Sequence, residues 1–265
     1  MHAATAPGHV AGKTIARVVA LGASNLTRGF QTVVSTARSA WGPQVEVLGA
    51  HGHGRSYGVP SRFVIRTLPG ILQSGLWRQL DALAPAPTRG LVTDVGNDIM
   101  YGSSAEQILA WVEEAVDRLQ RVTSDIVLTD LPIASIARLS RPKFLAVRSI
   151  IVPGCRLSLE QMLQTAARVQ AGLAALASAR RLTFFRLNPV WYGFDPIHIR
   201  PSLWRTAWQE ILAARSERPQ HLRRSPVEGL SLYFMPPERQ WLFGREQVTP
   251  QPGVALRGGG RVWLF

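Results

Sequence analysis

The chain has 265 residues, 46% of them hydrophobic, and a formal charge of +13, which suits one large α/β domain with a substantial core. No apolar run approaches the roughly 20 residues of a membrane span, no charged segment precedes an apolar stretch within Met1–Gly12, and the lone Cys155 excludes an internal disulfide and any cysteine-rich zinc site. Only Lys13 and Lys143 are lysines, and the arginines are scattered rather than gathered in a basic stripe with interleaved aromatics, so neither nucleic acid nor membrane is expected as a partner. A cytoplasmic protein is the expectation.

The elements alternate as in a doubly wound sheet. Ile15–Leu21 reads as a strand buried on both faces, and Thr27–Trp41 as a helix with Thr27 as N-cap and Gly42-Pro43 as stop. Val45–Leu48 is a second strand that empties into the glycine-rich loop His51–Gly58. A helical stretch around Ile71–Leu83 leads to the strand Leu91–Val95 and then to an amphipathic helix over Ser104–Arg121. Ile126–Leu131 is the fourth strand. Helices are expected around Lys143–Ile151 and Leu159–Ala179, a fifth strand at Leu182–Leu187 and a closing helix at Pro201–Ala214. Five strands with helical crossovers predict a three-layer α/β sandwich around a five-stranded parallel sheet, with ligands beyond the carboxyl ends of the strands. This domain is assigned residues 1–216. Residues 217–265 form a short β-rich C-terminal extension, in which Gly258-Gly259-Gly260 separates Val254–Leu256 from Val262–Phe265 and predicts a β-hairpin. Such an apolar terminus is expected to pack on the body or on a partner subunit, in a homo-oligomer.

Four short blocks carry chemistry-bearing residues: Gly22-Ala23-Ser24-Asn25, Gly52-His53-Gly54, Gly96-Asn97-Asp98 and Asp195-Pro196-Ile197-His198. Ser24, Gly54 and Asn97 fall just past the first three strands, hence at one sheet edge. A serine at the start of a helix is either a nucleophile steadied by backbone N–H groups or an ordinary cap. It is not the elbow of α/β-hydrolases, because Leu26 stands where Gly-x-Ser-x-Gly needs glycine. Asp-x-x-His lets a carboxylate on a tight turn hold Nδ1 of the imidazole and leave Nε2 free as a base. Asn97 offers a side-chain amide to a developing oxyanion, and Gly54 or Gly52 a backbone N–H. Together these groups form a set suited to cleaving an ester.

The blocks resemble those of the SGNH (GDSL-type) hydrolases over Val18 to about Ser202. The resemblance implies a flavodoxin-like sheet and hydrolysis of carboxylesters, thioesters or O-acetyl sugars without a cofactor. It also implies Ser24 as nucleophile, His198 as base, Asp195 as its partner, and Ser24 N–H, Gly54 N–H and Asn97 as the oxyanion hole. The sequence departs from the family pattern at Ala23, where aspartate is usual, at Val95, where glycine is usual, at Ile199, where proline is common, and at Gly29, which comes one residue late.

Other readings compete. A metal-dependent hydrolase would use His51 and His53 with Asp94, Asp98, Asp195 and His198. A non-catalytic binding module would dock a partner through its arginines and terminal hairpin. Nucleotide sites are excluded, since Pro7 occupies the first glycine position of a phosphate loop ending in Gly12-Lys13-Thr14, and Tyr57 the third glycine position of a dinucleotide fingerprint. Tyr57, Tyr101, Trp191 and Phe194, with Tyr192 and Trp204 nearby, are candidates for a substrate wall. Arg28, Arg55 and Arg200 adjoin the blocks and are either ordinary solvated arginines or an attraction for a carboxylate or phosphate. An acyl-enzyme would serve transfer to an alcohol as well as hydrolysis.

Overall fold

A computed structural model describes residues 15–142, 144, 145, 148, 155–213 and 226–265. In chain order these hold β1 (Arg17–Leu21), α1 (Ser24–Trp41), β2 (Glu46–Ala50), β3 (Ser61–Phe63), β4 (Arg66–Leu68), α2 (Leu76–Ala82), β5 (Thr88–Val92), α3 (Asn97–Met100) and α4 (Ala105–Gln120). There follow β6 (Ile126–Thr129), α5 (Ile133–Ile136), α6 (Leu159–Ala179), β7 (Thr183–Phe185), α7 (Trp204–Ile211), α8 (Pro226–Tyr233), β8 (Arg239–Leu242), β9 (Arg245–Val248), β10 (Val254–Ala255) and β11 (Arg261–Leu264). The helix expected around Lys143–Ile151 lies largely outside the described residues.

The five expected strands form the parallel body of the sheet in the order β2-β1-β5-β6-β7. The sheet nevertheless has seven strands, because β11 pairs in parallel with β2 and β10 closes the edge antiparallel to β11. The glycine-rich turn does make the terminal hairpin, and Phe265 N–H donates to Gly49 O at 2.9 Å. A second, four-stranded sheet of order β3-β4-β8-β9 was not expected. Its first hairpin lies in the connection after the glycine-rich loop, and its strands are too short to show a period-2 pattern.

Alternation along β1 sorts the two cores. Val18 and Ala20 face α1 and α7, packing with Phe30, Val33 and Trp208, whereas Val19 and Leu21 face α4 and α6, packing with Ile108, Val112 and Leu173. Gly29 explains its displaced position here. A Cβ on it would lie 2.1 Å from Trp208 Nε1, so only glycine lets α1 approach α7 this closely. At the opposite edge of the sheet from the blocks, buried Arg17 binds Glu46 at 2.7 Å and the Ala84 carbonyl at 3.1 Å, so its charge is paired and hydrogen-bonded.

Helix starts follow local chemistry. Ser104 with Gln107 and Ser158 with Gln161 make reciprocal capping boxes on α4 and α6. Thr27 is not a cap. The first helix starts three residues earlier, at Ser24, and the Thr27 hydroxyl donates to Ala23 O at 2.6 Å inside it. The third expected strand is also displaced. β5 ends at Val92, which frees Thr93–Gly96 to turn, with Asp94 at φ +57°.

Candidate active site

The carboxyl ends of β1, β2 and β5 deliver the first three blocks to one edge. Ser24 is the first residue of α1 and only 9% exposed. No side chain within the helix caps that terminus. Asp94 does so from the turn that follows β5. Its Oδ2 accepts the Ala23 and Leu26 N–H groups, each at 3.0 Å, and so satisfies donors that a helix start leaves open. Its Oδ1 accepts Asn25 Nδ2 at 2.9 Å.

Asn25 ties the last block to the first. Besides Asp94, its Nδ2 donates to Ile197 O at 2.8 Å, while its Oδ1 accepts the Ile199 N–H at 2.8 Å. The residue after Ser24 therefore grips the backbone on both sides of His198. The imidazole is then oriented by Asp195, whose Oδ2 lies 2.6 Å from His198 Nδ1, while Oδ1 accepts the Ile197 N–H at 3.2 Å. Burial works to raise the Asp195 pKa, but the His198 ring, the Ile197 N–H and the Arg28 guanidinium outweigh it and hold the carboxyl below its usual range. An ionised Asp195 accepts from Nδ1–H, which leaves Nε2 as the free basic nitrogen.

Gly54 and Asn97 line the same cavity as Ser24, together with Tyr101. Gly54 sits at φ +65°, where a side chain would be strained, and the Tyr101 hydroxyl donates to its carbonyl. Gly52 does not line the cavity and lies against Leu68. Asp98 binds the glycine loop to α3, accepting the Ser56 hydroxyl and the Tyr57 N–H, the latter at 3.0 Å. Burial pushes the Asp98 carboxyl from 3.8 up to about 6, against the pull of those two hydrogen bonds. Ionising it thus costs more in the folded chain than in the unfolded one. The stabilisation from this shift is complete below about pH 4 and is lost as pH rises through about 6. Relative to Asp98→Asn, the unsubstituted protein is expected to lose about 3 kcal/mol of stability between pH 4 and 7. Urea unfolding across that range measures it, and a constant difference contradicts it.

The remaining sequence candidates are placed as follows. Tyr57 is fully buried, with its hydroxyl 2.7 Å from Thr93 O and 3.2 Å from Leu21 O, so it pins β1 to the β5 turn and does not line the cavity. Trp191 is buried in a stack on Phe185, and Phe194 is 87% exposed; neither lines the cavity. Tyr192 does line it, whereas Trp204 Nε1 donates to Ile199 O at 3.0 Å. Arg55 is buried and donates to the Pro69, His51 and Phe265 carbonyls, and Arg200 donates to Val190 O at 2.6 Å. His51 Nδ1 is 3.1 Å from Thr27 Oγ1, with its ring on Phe30, and burial, then Arg55, hold it well below the ordinary histidine range. His53 lies against Phe63, and burial, then Arg28, lower it to about 4. Among the described residues no three His, Cys, Asp or Glu side chains converge as metal ligands. No helix among them is long and apolar enough to cross a membrane.

Sequence reasoning missed the roles of Asn25 and Asp94. A signal was present in the departures from the family pattern. With Ala23 lacking a carboxylate, Asp94 supplies one to the same helix start from the turn after β5.

No protein-family model and no curated protein sequence matches the chain. Solved structures do. The M. smegmatis aryl esterase superposes with a TM-score of 0.50 at 16% identity, covering 75% of this chain and 97% of that one. Est24, a carbohydrate acetylesterase from Sinorhizobium meliloti, gives 0.51 at 13% identity, covering 74% and 97%. A member of the lipolytic G-D-S-L family from Veillonella parvula gives 0.45 at 10% identity, covering 74% and 96%. With its parallel core of order β2-β1-β5-β6-β7, the chain shares the α/β fold of the aryl esterase and the carbohydrate acetylesterase.

Proposed function

We propose that this protein is a serine esterase that acts through an acyl-enzyme on Ser24. The observation that supports the reading is the grip of Asn25, the residue after Ser24, on the Ile197 carbonyl and the Ile199 N–H, the backbone groups on either side of the Asp195-paired His198. Structural neighbours named as an aryl esterase and a carbohydrate acetylesterase support ester hydrolysis on this fold.

In the proposed reaction His198 Nε2 takes the hydroxyl proton as Ser24 Oγ bonds to the substrate carbonyl carbon. The oxyanion so formed accepts from Ser24 N–H, Gly54 N–H and Asn97 Nδ2. The bond to the alcohol oxygen then breaks, and His198 returns the proton to the leaving group. Water attacks the acyl-enzyme with His198 again as base, and the carboxylic acid departs with Ser24 restored. Asp195 keeps Nδ1 protonated throughout and stabilises the imidazolium. A soluble p-nitrophenyl ester tests the scheme. Asn97→Ala is expected to lower kcat about 10²–10³-fold, about 3–4 kcal/mol of transition-state stabilisation, with KM little changed. An unchanged kcat removes Asn97 from the oxyanion hole.

A further inference from the structure

The second sheet, which was not expected from the sequence, brings positive charge to the glycine-rich loop. Phe63 and Arg66 stand opposite each other in the β3–β4 hairpin and so share one side of it. That side rests on Gly52–Gly54. The Phe63 ring lies 5.4 Å from the His53 ring, and Arg66 Nη2 is 3.5 Å from where a Cβ on Gly52 would stand. The Arg66 guanidinium is half-buried there, yet among the described residues it has neither a carboxylate nor a hydrogen-bond acceptor, and burial lowers its pKa.

The surrounding charges have the same sign. Arg55 is fully buried, spends its donors on three carbonyls and leaves Nη2 without a partner. His53 feels Arg28, Arg66 and the His198 imidazolium, all positive. A charge withdrawn from water without a partner is costly, and the chain itself supplies no counter-charge to Arg66 or Arg55.

Position decides which half of an ester such a cluster meets. The imidazole that returns the proton faces the alcohol oxygen, and exposed Arg28 places its Nη1 3.8 Å from the Asp195 carboxylate that orients that imidazole. We propose that Arg28, His53 and Arg66 form an anion-binding subsite for the alcohol half, and that the substrates are esters whose leaving alcohol carries a carboxylate or a phosphate. The guanidinium groups supply charge-assisted hydrogen bonds. His53 is uncharged in neutral solution, since burial, then Arg28, lower it to about 4, so it adds an N–H donor without adding charge.

This inference rests on the esterase reading above, and one experiment separates the two. The whole chain is assayed by acetate release on phenyl acetates bearing a para carboxylate, phosphate or carboxamide, and in parallel a small fluorophosphonate is tested for an adduct on Ser24. Relative to hydroxide hydrolysis of the same ester, kcat/KM for at least one anionic ester is expected to exceed that for the carboxamide about 10–100-fold, and the better of the two names the anion. Added salt should shrink the ratio. Arg66→Gln should cut it at least about fivefold, and Arg66→Lys, which keeps the charge, should cut it less; the unsubstituted ratio and its salt dependence decide the matter even where a variant fails to fold. An adduct on Ser24 with no preference for either anionic ester, or with a preference that Arg66→Gln leaves intact, overturns the anion subsite alone. So does an equal preference for a carboxylate on the acyl half, read from the p-nitrophenyl half-ester of adipic acid against p-nitrophenyl hexanoate. Absence of the adduct overturns the esterase reading and this inference with it.

Discussion

Ser24→Ala is expected to lower kcat for a soluble ester by at least about 10⁴-fold, His198→Ala by a similar factor, and the double variant by no more than either single one. The equality follows from shared function. Without the imidazole the hydroxyl is a poor nucleophile, and without the hydroxyl the imidazole has no proton to take, so the second loss removes nothing further. Residual turnover then comes from oxyanion donors that act on water attack alone. Neither change should disturb the fold, because the grip on the His198 segment comes from the Asn25 side chain and from backbone groups. Thermal melts of both variants should stay within a few degrees of the parent. If Ser24→Ala retains full turnover, the nucleophile lies elsewhere.

Asn25→Leu is the second large effect, and it acts on stability and rate together. It strips the partners from Asp94 Oδ1, the Ile197 carbonyl and the Ile199 N–H at once. Each buried polar group left unpaired costs about 1–3 kcal/mol, so a loss of about 3–5 kcal/mol is expected in denaturant unfolding. Freed from its clamp, the His198 segment shifts relative to Ser24, and a misplacement near 1 Å costs about 10²-fold in kcat. KM should hold, since Asn25 positions the base rather than the substrate. Asn25→Asp should do at least as badly, because it loses both donations and sets a carboxylate against Asp94. Adding Asp94→Asn to it restores a donor–acceptor pair between these two side chains and should recover part of the rate. Equal losses in all three variants would instead mark Asn25 as a purely structural residue.

The features legible in the sequence were those set by periodicity and by short spacing. Apolar runs announced β1, β2 and β6, and the helical stretches Ser104–Arg121 and Leu159–Ala179 announced α4 and α6. Asp195 and His198 could be paired on paper because three residues of turn suffice to bring them together. What escaped was whatever depends on contacts distant in sequence. Asn25 reaches residues more than 170 positions away, and nothing local distinguishes it from an ordinary helix-start asparagine. Asp94 was legible as an acid but not as the cap of a helix on the neighbouring strand. Tyr57 stands in the glycine-rich loop beside Gly54, so it resembles a substrate contact until its hydroxyl is seen bonded to the Leu21 and Thr93 carbonyls. The short strands β3 and β4 pair with a hairpin some 170 residues later, and no window of sequence contains both.

The most direct test of the account is peptide mapping of the protein after reaction with a fluorophosphonate. A single adduct on Ser24, formed rapidly in the unsubstituted chain and slowly or not at all in His198→Ala, is the predicted result. An adduct on another residue, or labelling of Ser24 at the same rate without His198, would contradict the claim that this serine and this histidine work as a pair.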